Sequence, residues 1–188
     1  DIEECRPLQH LSELDVMDEF KHGVDGIVVW GGKEAVEAYR KDLPAQTKCI
    51  VFGPKLSVAV VTEEGLERVG VETAARQLSE EISIWDQNAC TAPQICYVEG
   101  EKNARNLAEN LALAMKEKAI VLPAGPAGVD TAVEIQKLRG VSEVEEARGL
   151  GMVLSSCGNV DWTVIVKNSP QIEPSPLHRT ISIVPVNK

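Results

Sequence analysis

Apolar residues recur along this chain in two periods, and the switches between them outline its elements. Short β-rich runs at 26–30, 48–52, 57–61, 94–98, 152–156, 162–166 and 180–186 read as strands. Between them lie helical patterns. Leu11 to Gly23 opens with Ser12 as N-cap and Asp15 at N3, with Leu11 and Val16 placed to form a hydrophobic staple. Residues 33–40 form a short helix after Gly31-Gly32. Thr62 caps a long helix in which Leu66, Val69, Ala74, Leu78, Ile82 and Trp85 recur at roughly helical spacing, predicting one buried face. Residues 102–118, with Leu107, Leu111 and Met115 four apart, and residues 129–148 supply two more helices. Strands alternating with helices in this way predict an α/β fold, with a mostly parallel sheet and helices on both faces.

Composition narrows the function classes. With 188 residues, 44% of them hydrophobic and 26% charged, the chain can bury a real core. A formal net charge of -10 and no concentrated basic run argue against a nucleic-acid or anionic-membrane partner, because phosphates are repelled. No apolar run approaches the roughly 18 residues of a membrane span, and no signal peptide opens the chain, so a cytoplasmic setting is expected. Asp1 stands where Met would start a protein, and a strand closes the sequence almost at its end. A fragment of a longer protein is the expectation.

Candidate chemistry centres on one cysteine. The five cysteines, Cys5, Cys49, Cys90, Cys96 and Cys157, are odd in number and scattered, and the three histidines show no ligand spacing. Neither a disulfide framework nor a metal site is expected. Cys90 sits in a polar, proline-terminated loop between a helix and a strand, where a thiolate can be activated to attack a thioester or aldehyde carbon; a buried structural role is the competing reading. Cys96 and Cys157 read as core residues. Gly31-Gly32 at a strand end either lets the backbone approach a dinucleotide or makes a tight strand-to-helix turn. Gly53-Pro54-Lys55 reads as a turn.

Four motifs then carry a resemblance. Val28 to Val36 with Trp30-Gly31-Gly32-Lys33, residues 47–61 with Phe52-Gly53-Pro54-Lys55, Asp86-Gln87-Asn88-Ala89-Cys90-Thr91-Ala92-Pro93-Gln94, and Asp161-Trp162-Thr163-Val164 with Ser175-Pro176-Leu177-His178-Arg179-Thr180 resemble the LuxC-type acyl-CoA reductases. These are the fatty-acid reductase component of bacterial bioluminescence and its non-luminous relatives, within the aldehyde dehydrogenase superfamily. The resemblance implies an aldehyde dehydrogenase-like, Rossmann-like enzyme that reduces an acyl-CoA or other acyl thioester to an aldehyde. It implies NADPH as cofactor, with NADH an open alternative, and acyl-transferring enzymes as candidate partners. The acyl-carrying nucleophile falls on Cys90, and the cofactor-side turn on Trp30, Gly31 and Gly32. Residues 1–52 would end the cofactor-binding portion and 53–188 would form the catalytic domain. The full-length protein would be a homo-oligomer, and the isolated chain a poor catalyst.

Two departures from ordinary aldehyde dehydrogenases matter. Where those enzymes carry a glutamate base ahead of a Gly-Gly-Lys, this chain has Val51 ahead of Gly53-Pro54-Lys55. Loss of the water-activating base suits a reductase, whose acyl-enzyme must outlast hydrolysis. Gln87 lies three residues before the nucleophile and not two, so no role is carried over to it. The alternatives are an aldehyde dehydrogenase running toward acid or acyl-CoA, and a non-catalytic α/β docking module.

Overall fold

The computed structural model describes residues 13–53, 56–168 and 173–187. The chain divides into two compact units, Asp1–Lys55 and Leu56–Lys188. The expected cap at Ser12 and its staple partner Leu11 lie outside the described residues, as do Cys5, His10, Pro54 and Lys55.

In the first unit the order is α1 (Glu13–Gly23), β1 (Gly26–Trp30), α2 (Lys33–Arg40) and β2 (Lys48–Phe52). β1 and β2 pair in parallel, Gly26 opposite Lys48 and Trp30 opposite Phe52. Strand alternation sends Ile27 and Val29 to a buried face and Val28 and Trp30 to an exposed one. The buried Lys21 of α1 caps α2, donating from Nζ to the carbonyls of Ala38 (2.9 Å) and Lys41 (2.7 Å). These are carbonyls that a helix end leaves without partners.

The second unit runs β3 (Ser57–Val61), α3 (Glu63–Val69), α4 (Val71–Ser83), β4 (Pro93–Glu99), α5 (Glu101–Val121), α6 (Val129–Ala147), β5 (Gly151–Ser155), β6 (Thr163–Lys167) and β7 (Thr180–Val186). Its five strands lie in the order β3-β4-β7-β6-β5, parallel except where β5 meets β6. Alternation again sorts the side chains. Cys96 and Val98, Val164 and Val166, and Ile181 and Ile183 face α4 and α5, meeting Leu78, Ile82, Leu107, Leu111 and Met115 in one fully buried cluster. Their neighbours Ile95, Ile165 and Val184 are equally buried on the opposite side, where α6 brings Ile135 and Arg139 onto β5 and β6. Helices thus cover both faces, as the alternation predicts. Among the described residues no helix is long and apolar enough to cross a membrane.

One predicted element is different. The long helix from Thr62 is two helices, broken at Gly70, whose φ of 82° lies in the region only glycine adopts cheaply. Thr62 does cap the first, accepting from the Gly65 N–H at 3.0 Å. Val69 and Trp85, expected on the buried face, are exposed, and α4 ends before Trp85, at Ser83.

Candidate active site

Between the end of α4 and the start of β4 the chain makes one tight turn, Ile84–Gln87, and then a loop with Cys90 near its tip. Trp85, Asp86 and Gln87 have φ of 57°, 48° and 65°, all left-handed. A second run, Leu177, His178 and Arg179, has φ of 65°, 51° and 59° just before β7. Left-handed backbone costs an L-residue on the order of 1–2 kcal/mol and normally occurs singly, so two runs of three must be held by strong surroundings.

Those surroundings tie the two runs to each other. Asp86 Oδ1 accepts from Arg179 Nε at 2.6 Å, and its Oδ2 accepts from the Gly125 N–H at 2.9 Å. Arg179, 2% exposed, donates its remaining bonds to the carbonyls of Leu122 (2.8 Å) and Pro123 (3.3 Å). The ion pair is therefore fully hydrogen-bonded, the condition under which burying a charge is tolerable. Gln87, 1% exposed, accepts from the Thr180 N–H (2.9 Å) and donates to the Pro93 carbonyl (2.8 Å). That second bond joins the two feet of the Cys90 loop. Gln94 Oε1 accepts from the Ser175 N–H at 2.9 Å, adding a further tie between the same two stretches.

Cys90 itself occupies a turn closed by the Ala92 N–H to Ala89 carbonyl bond, and its carbonyl accepts from the Ser57 hydroxyl. Its backbone is held, yet the residue is exposed. Cys96, six residues on, is the opposite case, fully buried in β4 with its thiol pushed up to about 12 by burial, so it stays protonated and inert. Cys157 was expected in the core and is exposed instead, because Gly158, with φ of 77°, turns the chain outward after β5. Cys49 is half-buried in β2. No group of His, Cys, Asp and Glu among the described residues could hold a metal. A hollow of about 700 Å³, lined by Leu138, Val141, Leu150 and Lys167 among others, lies beside α6 and not at Cys90.

Trp30, Gly31 and Gly32 belong to the first unit, and the residues gathered around Cys90 belong to the second. Trp30 is 71% exposed and stacks on Phe52, ring centroids 5.3 Å apart. Gly31 donates to the Phe52 carbonyl (3.3 Å), and a Cβ there would come within 2.9 Å of Ala35 Cβ, so its lack of a side chain serves the approach of α2 to β1. Gly32 is the N-cap of α2 with open space where a Cβ would stand. Val51 is half-buried in β2 and offers no acid or base.

Asp86, Gln87 and Arg179 have no assigned role in the reading of the sequence. Asp86 and Arg179 meet across 93 positions, and no local pattern marks such a pair. The left-handed runs carry no glycine that would have announced them.

Comparison with known proteins agrees with this architecture. The long-chain acyl-protein thioester reductase of Vibrio harveyi is 28% identical over 183 residues, covering 95% of this chain and 35% of that protein. The reductase of the same name from Aliivibrio fischeri is 23% identical, covering 93% and 34%. The chain thus spans about a third of the length of these curated relatives. Among solved structures, the betaine aldehyde dehydrogenase of Staphylococcus aureus, solved with NAD, superposes with a TM-score of 0.68 at 13% identity, covering 94% of this chain and 38% of that one. The NADP-dependent glyceraldehyde-3-phosphate dehydrogenase of Bacillus halodurans, solved with NADP, gives 0.65 at 16% identity, covering 87% and 35%. The aldehyde dehydrogenase fold is therefore shared. Residues 8–188 match the profile of the acyl-CoA reductase (LuxC) family, and the chain belongs to that family.

Proposed function

We propose that this chain carries the acylation step of a fatty acyl thioester reductase, with Cys90 as nucleophile. The observation that carries the reading is the contrast at Cys90 itself, where the backbone is fixed at a loop tip and the residue is exposed, in a family named for reducing acyl-CoA. In this reading the Cys90 thiolate attacks the carbonyl of an acyl-CoA or related thioester, the carrier leaves as its thiolate and takes a proton from water, and the acyl group remains on the Cys90 sulfur. The Cys90 N–H is a candidate donor to the oxyanion formed on the way. Reduced nicotinamide, proposed as NADPH, supplies hydride when bound, and the product leaves as the aldehyde.

Residues 1–52 are proposed as the end of the cofactor-binding portion, with Trp30, Gly31 and Gly32 on the cofactor side. Gly32 supports this by leaving the N-terminal backbone of α2 uncovered, and exposed Trp30 by offering an aromatic surface. Val51 at the register of the usual base supports reduction over hydrolysis, because a valine side chain cannot activate water. The whole protein is proposed to act in the cytoplasm as a homo-oligomer, receiving acyl groups from CoA or a transferase.

The test is intact-mass measurement of the whole protein after incubation with dodecanoyl-CoA in the absence of nicotinamide. A single acyl adduct, mapped to Cys90 and lost in Cys90→Ala, is expected. An adduct that persists in Cys90→Ala would assign the nucleophile elsewhere.

A further inference from the structure

The loop that presents Cys90 is anchored by groups that never reach its sulfur. Gln87 ties the feet of the loop together through the Pro93 carbonyl and ties them to β7 through the Thr180 N–H. One residue earlier, Asp86 is gripped by Arg179 from the segment preceding β7 and by the Gly125 N–H from the α5–α6 connection. Arg179 in turn holds that same connection through the Leu122 and Pro123 carbonyls. Three stretches distant in sequence, 85–93, 122–125 and 177–180, are thereby joined three to four residues behind Cys90. The chain sustains two runs of left-handed backbone to make this junction. Neither run belongs to the apolar cluster between the sheet and α4 and α5, although Gln87 and Arg179 are themselves fully buried.

We propose that Asp86, Gln87 and Arg179 are positioning residues for the Cys90 nucleophile, forming a buried clamp that fixes where the loop tip stands relative to an incoming acyl carbonyl. The inference rests on the assignment of Cys90 as nucleophile. Attack on a carbonyl demands a narrow range of distance and angle, whereas reaction with a small alkylating reagent approaching from solvent does not. A clamp that positions Cys90 should therefore affect the first reaction far more than the second.

The experiment compares wild type, Arg179→Lys, Gln87→Glu and, as a control, Arg139→Gln in the intact protein. Arg179→Lys keeps the charge beside Asp86 but cannot span all three partners; Gln87→Glu keeps the acceptor for Thr180 and removes the donor to Pro93. Arg139 is also buried, but it anchors the 156–162 turn and not the Cys90 loop. Single-turnover acylation by dodecanoyl-CoA should slow on the order of 100-fold in both clamp variants, while iodoacetamide alkylation of Cys90 changes by less than ~3-fold. Arg139→Gln should acylate at the wild-type rate even where its melting temperature falls as far. Should Arg179→Lys fail to fold, Gln87→Glu alone decides. Wild-type acylation rates in a folded clamp variant overturn the inference while leaving Cys90 as nucleophile. Equal loss of acylation and alkylation also overturns it, by showing general disruption. An adduct in the wild type on a residue other than Cys90 removes the nucleophile assignment and this inference together.

Discussion

The second unit contains two turns that share an unusual pair of features, an exposed cysteine and a buried arginine beneath it. One is the Cys90 loop over Arg179; the other is the 156–162 turn, carrying Cys157, over Arg139. Their wiring differs. Arg139 donates from Nε to Thr163 Oγ1 (2.9 Å), from Nη1 to the Ser156 and Asn159 carbonyls, and from Nη2 to Ser156 Oγ and the Trp162 carbonyl. All its partners fall within eight consecutive residues, 156–163. It staples one β5–β6 hairpin to α6. Arg179 instead meets a carboxylate and two carbonyls from two other stretches, 86 and 122–123. Burial lowers the pKa of Arg139, with Glu143 and Asp161 nearby pulling the other way, so its charge is tolerated by full hydrogen bonding and not by a direct ion pair. Residue exposure alone therefore does not separate Cys90 from Cys157. What sets Cys90 apart is that its loop is tied to two separate stretches of the domain, 122–125 and 175–180, whereas Arg139 ties the Cys157 turn to α6.

The strongest way to break this comparison is to remove the local staple. Arg139→Gln leaves several inward-facing carbonyls short of a donor, and each unsatisfied group costs ~1–3 kcal/mol, reduced where water can enter at the turn. A loss of about 2–4 kcal/mol in unfolding free energy is expected, read by urea denaturation. Acylation of Cys90 in the folded fraction should be unchanged. A fall in acylation exceeding the fall in folded protein would mean that the two turns are coupled and the contrast is false.

Much of the frame was legible in the sequence, and the reasons are specific. The two strands in 48–61 and the strand and helix in 93–121 are legible because each has one clean period and a punctuating Gly or Pro. The break at Gly70 was legible in hindsight, since the step from Val69 to Ala74 is five residues and not three or four. Cys157 reads as core, as cysteine commonly is, although Gly158-Asn159 after it is a turn signal. The clamp was not legible at all, because Asp86 and Arg179 become neighbours only when β7 inserts between β4 and β6. For Gln87 the sequence shows only its offset from Cys90, and its buried bond to Thr180 depends on the same tertiary event.

A smaller effect sharpens the contrast by bringing in the third cysteine of this unit. Cys96 lies on the strand that the Cys90 loop enters, and burial raises its thiol from 9.0 to about 12. A raised folded-state value means that the fold binds the proton more tightly than the unfolded chain does. The stabilisation is complete below pH 9 and is lost as pH rises from about 9 toward 12. Within that window Cys96 should steepen the fall of unfolding free energy by about 1.4 kcal/mol per pH unit, a contribution absent from Cys96→Ala. Equal pH slopes in the two proteins, measured by denaturant titration at pH 8.5 to 10.5, would show that this thiol ionises without opening the core.

The smallest expected effect separates the clamp from a charge pair at the rim of the same segment. Lys167 on β6 and Glu173, just before the 175–180 stretch, pair at 2.7 Å, and the hydrogen bond and charge of Lys167 hold the Glu173 carboxyl below its ordinary value. A depressed carboxylate stabilises the fold above its unfolded value of 4.5 and ceases to do so as pH falls through the folded value. Glu173, however, is 61% exposed as a side chain, so water and salt screen most of this interaction. Glu173→Gln should therefore cost less than ~1 kcal/mol at neutral pH, and the difference should vanish at high salt. In the Asp86–Arg179 pair the guanidinium is 2% and the carboxylate 24% exposed, far less than Glu173, and the acylation defect of Arg179→Lys should persist in the same salt. If high salt instead restored acylation in Arg179→Lys, or if Glu173→Gln slowed acylation as much, the segment before β7 would be acting through its overall field, and the distinction between clamp and rim would fall.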